Sequence, residues 1–185
     1  IENQLFKQER LPIRHQKGKL FYWEYNRKLY KWLEALAKRS SGQPLALCAI
    51  DLDTIIPCYL VSKKFNLPRV YDAHELFTEL TEVKRRPWIH AAWKWVERRM
   101  VPDFPLGYTV NQFIADEFQR RYGVQYAVIR NLPKRYPNPV PTPSESALPL
   151  LPPSFFLYQG AINEGRAFDS LIPAMKQVAI PLVLA

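Results

Sequence analysis

Leu45-Ala46-Leu47-Cys48-Ala49-Ile50 is a short unbroken apolar run, and Asp51-Leu52-Asp53 follows it at once. Such a run suits a strand of a parallel sheet covered on both faces. Thr54 to Asn66 then carries apolar residues at Ile56, Leu60 and Phe65, as a helix packed on that strand does. Asp53 is placed as its N-cap, accepting hydrogen bonds from the first free amides. Pro57 reads as a first-turn residue, where no helix bond is lost.

The same strand-to-helix unit recurs downstream. Arg69-Val70-Tyr71-Asp72-Ala73 reads as a second strand, entered through Leu67-Pro68. Leu106-Gly107-Tyr108-Thr109-Val110 reads as a third, followed by a helix capped by Asn111 and running to Tyr122-Gly123. Tyr126-Ala127-Val128-Ile129-Arg130 is a fourth. Between the second and third strands, Trp88 to Met100 predicts a helix with Ile89, Ala92, Trp93, Val96 and Met100 on its apolar face. Upstream, residues 19–39 predict a long amphipathic helix with Tyr22, Tyr25, Leu29, Trp32, Leu33 and Leu36 on one side. Alternating strands and helices define an α/β class: a Rossmann-like parallel sheet with flanking helices.

From Asn131 to Ser154 prolines stand at 133, 137, 139, 141, 143, 149, 152 and 153, a density that neither helix nor sheet survives. The βα pattern restarts at Phe155-Phe156-Leu157-Tyr158-Gln159, with a loop Gly160 to Arg166, a helix Ala167 to Val178 and a strand Leu182-Val183-Leu184. The expected organisation is a first domain over 1–131, a Pro-rich linker over 132–154, and the first βα units of a second Rossmann-like domain over 155–185.

The chain has 185 residues, 48% hydrophobic and 14% aromatic, enough for a sizeable core. A formal charge of +9 suits an anionic partner: nucleic acid, an anionic membrane surface or a phosphorylated substrate. Cys48 and Cys58 sit in apolar surroundings without a Cys/His pair at metal-ligand spacing. Both read as reduced core residues of a cytosolic protein, and no zinc site is expected. No apolar run approaches the roughly 20 residues that span a bilayer. Ile1-Glu2-Asn3-Gln4 does not resemble a signal peptide. The chain starts without Met and stops inside Pro181-Leu182-Val183-Leu184-Ala185, so both ends are expected to be cut.

Four stretches occur in order: Asp51-Leu52-Asp53-Thr54, Val70-Tyr71-Asp72-Ala73-His74-Glu75-Leu76-Phe77, Tyr108-Thr109-Val110-Asn111 and Val128-Ile129-Arg130-Asn131-Leu132-Pro133. Together they resemble the N-terminal, acceptor-side domain of bacterial family 4 retaining glycosyltransferases of the GT-B fold. Tyr158-Gln159-Gly160-Ala161-Ile162-Asn163-Glu164-Gly165-Arg166 is similar to the entry of the C-terminal, nucleotide-sugar-binding domain of those enzymes. The resemblance covers roughly residues 45 to 185. It implies transfer of a sugar, of the hexosyltransferase type, from a nucleotide-sugar donor to a hydroxyl acceptor with retained configuration. It also implies chemistry at an interdomain cleft, where basic groups and amides stabilise the departing diphosphate and no metal or other cofactor is required. The family's first strand with its glycine-rich loop, and the basic pair and paired glutamates of its donor site, are not found in these residues. The chain as it stands is therefore expected to be inactive, and activity to belong to the full-length protein.

His74 follows a buried strand, at the sheet edge where open α/β folds gather ligands. It can bond a sugar hydroxyl, and the resemblance implies a place near the transferred sugar; alternatively it bonds a neighbouring carbonyl. Asp72 and Glu75 flank it, to orient the imidazole, bind acceptor hydroxyls or cap the next segment. Asp51 and Asp53 end another strand on that edge and can bind acceptor hydroxyls or share a proton, although such aspartates usually cap. In the loop, Gly160, Asn163, Gly165 and Arg166 are candidates for the donor, by close amide approach and a charge-assisted bond to a diphosphate. Gly-x4-Gly is a weak signal, and no Lys-Ser/Thr follows to make a Walker A loop.

Lys84, Arg85, Arg86, Trp88, Lys94, Trp95, Arg98 and Arg99 cluster on or before one helix, with Trp95 off its apolar face. Such a helix can lie on an anionic bilayer, which suits a lipid-linked acceptor, or can be a solvated face with its stems packed down. The expected partners are a nucleotide-sugar and a saccharide or lipid-linked acceptor, with peripheral contact to an anionic membrane and no nucleic acid. The expected location is cytoplasmic, or peripheral on the inner face of the cytoplasmic membrane. Two other readings stand beside transfer: a GT-B-fold nucleotide-sugar epimerase, which needs no acceptor, and a non-enzymatic basic α/β module binding membrane or nucleic acid. The chain lacks an identifiable nucleic-acid motif, and its aromatics mostly follow helix-core spacing.

Overall fold

The computed structural model describes residues 8–40, 42–133, 151–162 and 165–185. The chain divides into two compact units, Ile1–Leu132 and Pro133–Ala185. The first contains α1 (Gly18–Arg39), β1 (Leu47–Ile50), α2 (Asp51–Phe65), β2 (Arg69–Ala73), a short α3 (Thr81–Lys84), α4 (Pro87–Met100), β3 (Leu106–Thr109), α5 (Gln112–Tyr122) and β4 (Ala127–Val128). Its sheet is parallel throughout, in the order β1-β2-β3-β4, with Ile50 beside Asp72 and Asp72 beside Tyr108. The second contains β5 (Phe156–Tyr158), α6 (Phe168–Met175) and β6 (Leu182–Leu184), its two strands pairing in a separate parallel sheet. Most of the proline-rich stretch, residues 134–150, lies outside the described residues.

Sequential order with crossovers of one hand brings the connecting helices to a single face of the sheet. Burial along β1 therefore alternates, with Leu47 and Ala49 buried and Cys48 and Ile50 exposed. The expectation of a strand covered on both faces is corrected. So is the reading of Cys48 as a core residue, although Cys58, on α2, is buried. On the covered face Tyr71, Phe104, Phe118 and Tyr126 form an aromatic core with ring centroids 5.2 to 6.0 Å apart.

Two local readings also change. α2 begins at Asp51, which adopts a left-handed φ of 53°, so Asp53 lies in the first turn and Ile50 takes the N-cap position without a side-chain bond. The carboxyl of Asp53 still accepts from first-turn amides, its own and that of Thr54. Pro57 accordingly falls inside the helix, where it deprives the carbonyl of Asp53 of its helical donor. Asn26 of α1 supplies the replacement, its Nδ2 donating to that carbonyl at 3.1 Å. On α4 the buried residues are Val96, Glu97 and Met100, with Trp93 partly buried, while Ile89 and Ala92 are exposed. The buried face is thus turned toward Glu97, which accepts from the hydroxyls of Thr78 at 2.9 Å and of Tyr122. α6 is also shorter than its sequence pattern, ending at Met175.

Asn111 caps α5 as expected, its Oδ1 accepting the Ile114 amide at 2.9 Å, and Gly123 closes the helix at a φ of 71°. Asn111→Ala is expected to cost about 1 kcal/mol in urea unfolding. An unchanged midpoint would show that the cap contributes nothing.

Candidate functional site

The carboxyl ends of β1, β2 and β3 carry Asp51, Asp72-Ala73-His74 and Tyr108. Parallel strands leave their last amides and side chains facing a common edge, which is why ligands collect there in open α/β sheets. Two hydrogen bonds and one ion-pair contact tie this edge together. Asp51 Oδ1 accepts from the backbone N–H of His74 at 3.1 Å, linking the ends of β1 and β2. His74 Nε2 lies 3.1 Å from Asp72 Oδ1. The Tyr108 hydroxyl donates to Asp72 Oδ2 at 2.8 Å.

Both oxygens of Asp72 are therefore engaged, and the residue is buried while the side chain of His74 is 44% exposed. The contact of Asp72 is to Nε2, which leaves Nδ1 as the ring nitrogen without a partner among the described residues. Asp72 is thus the flanking carboxylate that touches the imidazole. Glu75, also exposed, has no hydrogen-bond partner among the described residues. Tyr108 was not singled out from sequence. Its signal is the register: it sits directly beside Asp72 on the same face of neighbouring strands. The bond to Asp72, and then burial, hold its phenol well above the usual range. Cys48, one turn of the pleat lower, is exposed as a residue, but partial desolvation of its thiol and then the charge of Asp72 push the thiol up, so it is no ready nucleophile.

The edge is acidic. Burial, only partly offset by the His74 amide, raises the carboxyl of Asp51; burial and then the charge of Asp51 raise that of Asp53. Partial desolvation, despite its exposed position, and then the charges of Asp51 and Glu82 raise Glu75. Among the described residues no group of three or more His, Cys, Asp or Glu side chains is arranged to hold a metal ion.

A carboxyl whose folded pKa is raised favours the folded state below its unfolded value of 3.8, and that contribution is lost as pH rises through the folded pKa. Asp51→Asn keeps the acceptor oxygen, tolerates the left-handed backbone and removes the charge. Its Tm is expected to rise by about 2 °C at pH 7 and not near pH 3. A lower Tm at pH 7 would mean that the ionised carboxylate is needed by the fold.

The second unit holds the glycine-rich candidates. Gly160 and Gly165 adopt φ of 147° and 85°, conformations that side-chain-bearing residues rarely take. The Gly160 amide donates to Ala185 O at 3.1 Å, extending the β5-β6 pairing, so it is not free for a ligand. Arg166 is exposed ahead of α6 and has no partner among the described residues, whereas Asn163 lies outside them. No protein-family model matches the chain, and no curated protein matches it in sequence. No helix among the described residues is long and apolar enough to cross a membrane.

Proposed function

We propose that the chain is part of a retaining glycosyltransferase, passing a sugar from a nucleotide-sugar to a hydroxyl acceptor, with His74 at the reacting sugar. The observation that carries this reading is the imidazole at the carboxyl edge of a Rossmann-like sheet, half exposed and oriented through Asp72 by Tyr108. A ring nitrogen left without a protein partner can donate to or accept from a hydroxyl such as a sugar's. The surrounding carboxyls of Asp51, Asp53 and Glu75 favour the same kind of ligand, because carboxylates accept from hydroxyls and repel phosphates. This unit therefore suits the sugar and the acceptor. In the second unit, Gly165 and Arg166 are the candidates for a phosphate contact.

Product analysis by mass spectrometry tests the reaction class. Full-length protein is incubated with a panel of nucleotide-sugars, with and without saccharide and lipid-linked acceptors. Transfer predicts glycosylated acceptor and released nucleotide. Conversion of donor alone into an isomeric nucleotide-sugar would replace transfer by epimerisation, and turnover of no donor would contradict the proposal.

A further inference from the structure

We infer that the outer face of α4 is a docking surface for an anionic lipid bilayer. α4 has 14 residues, Pro87–Met100, and is about 21 Å long. Its inner side packs through Trp93, Val96, Glu97 and Met100. On the opposite side Trp88, Ala92, Trp95 and Arg99 follow one another at helical spacing and are exposed. Trp88 is 90% and Trp95 65% exposed, which is unusual for so large an apolar side chain. Neither indole N–H has a partner among the described residues.

Charge decides the occupant. The single carboxylate of α4, Glu97, is buried, so the outer face has no negative group of its own. Arg86, Arg98 and Arg99 are exposed and, among the described residues, have no carboxylate partner. Some other cations of this unit are paired: Lys28 with Glu24 and Lys64 with Glu34, each at 2.6 Å, and Arg120 and Arg121 with Glu117 at 2.7 and 2.6 Å. A second copy of the chain would set like charges against each other. An anionic bilayer instead supplies phosphates for the guanidinium groups and an interfacial layer for the indoles. The lack of an unbroken apolar stripe makes the association peripheral and reversible. It stands apart from the transferase reading, and the failure of either leaves the other.

The test is vesicle flotation of the full-length protein with phosphatidylcholine alone and with about 30 mol% phosphatidylglycerol. Binding to the anionic vesicles is expected to exceed binding to the neutral ones at least about tenfold, and to fall in roughly 0.5 M salt. Trp88→Ala/Trp95→Ala and Arg86→Gln/Arg98→Gln/Arg99→Gln are each expected to lower it about tenfold or more. Their melting curves should overlay the wild type, since every altered side chain is exposed. Wild-type protein that ignores anionic vesicles, or binds neutral ones equally, overturns the inference. So does a tryptophan double variant that binds as wild type, or a single-stranded oligonucleotide bound more tightly than the vesicles through the same residues.

Discussion

Gly107→Ala will destabilise the first unit by about 3 kcal/mol. A Cβ on Gly107 would lie 2.7 Å from the carbonyl oxygen of Tyr71 and 2.6 Å from the ring of Tyr126. Neither neighbour can retreat cheaply. The carbonyl belongs to β2, whose Tyr71 is registered opposite Gly107, and Tyr126 is buried with its hydroxyl donating to Phe104 O at 3.0 Å. Alanine's smaller unfolded-state entropy recovers only about 0.4–1 kcal/mol of this. Urea unfolding followed by circular dichroism should show a clearly lower midpoint. Gly107→Ala/Tyr126→Ala removes only the ring collision, so it should not return to the stability of Tyr126→Ala alone. A Gly107→Ala midpoint equal to wild type would mean that the strands separate freely at this point.

The parallel α/β sheet was legible because each strand is a short apolar run joined directly to a helical pattern. What escaped the sequence depends on distant partners. The helix start at Asp51 follows from a left-handed residue held by the His74 amide, 23 residues away, so the local capping signal at Asp53 pointed three residues too late. Pro57 is tolerated inside α2 because Asn26, from another helix, satisfies the carbonyl it orphans. The turn of α4 toward Glu97 had no local sign either, since a carboxylate counts as polar until hydroxyls 19 and 25 residues away are folded around it.

The site was half legible in the same sense. His74 and Asp72 are neighbours in the chain, and their place at a strand end was readable. Tyr108, which holds Asp72, is 36 residues away and meets it only through the pairing of β2 with β3. The phosphate-facing role expected of Gly160 gives way to strand pairing, because its amide is already bonded to Ala185. Trp95 was visible as an off-face residue, but its exposure and that of Trp88 depend on which side of the helix packs.

His74→Ala in the full-length protein will lower kcat for sugar transfer about 100- to 1000-fold. The physical basis is the loss of an oriented nitrogen whose position Asp72 and Tyr108 have already determined, so the effect belongs to the reacting state more than to substrate capture. Donor KM should therefore move by less than about threefold. The melting temperature should stay within about 2 °C, because the imidazole is half exposed and the bond to Asp51 comes from the backbone, which alanine retains. Steady-state transfer by wild type and His74→Ala, with stability checked in parallel, is the decisive comparison. A drop of this size in kcat with an intact fold is the outcome expected of a sugar-handling histidine; transfer by the folded variant at the wild-type rate would remove His74, and the edge it marks, from the chemistry.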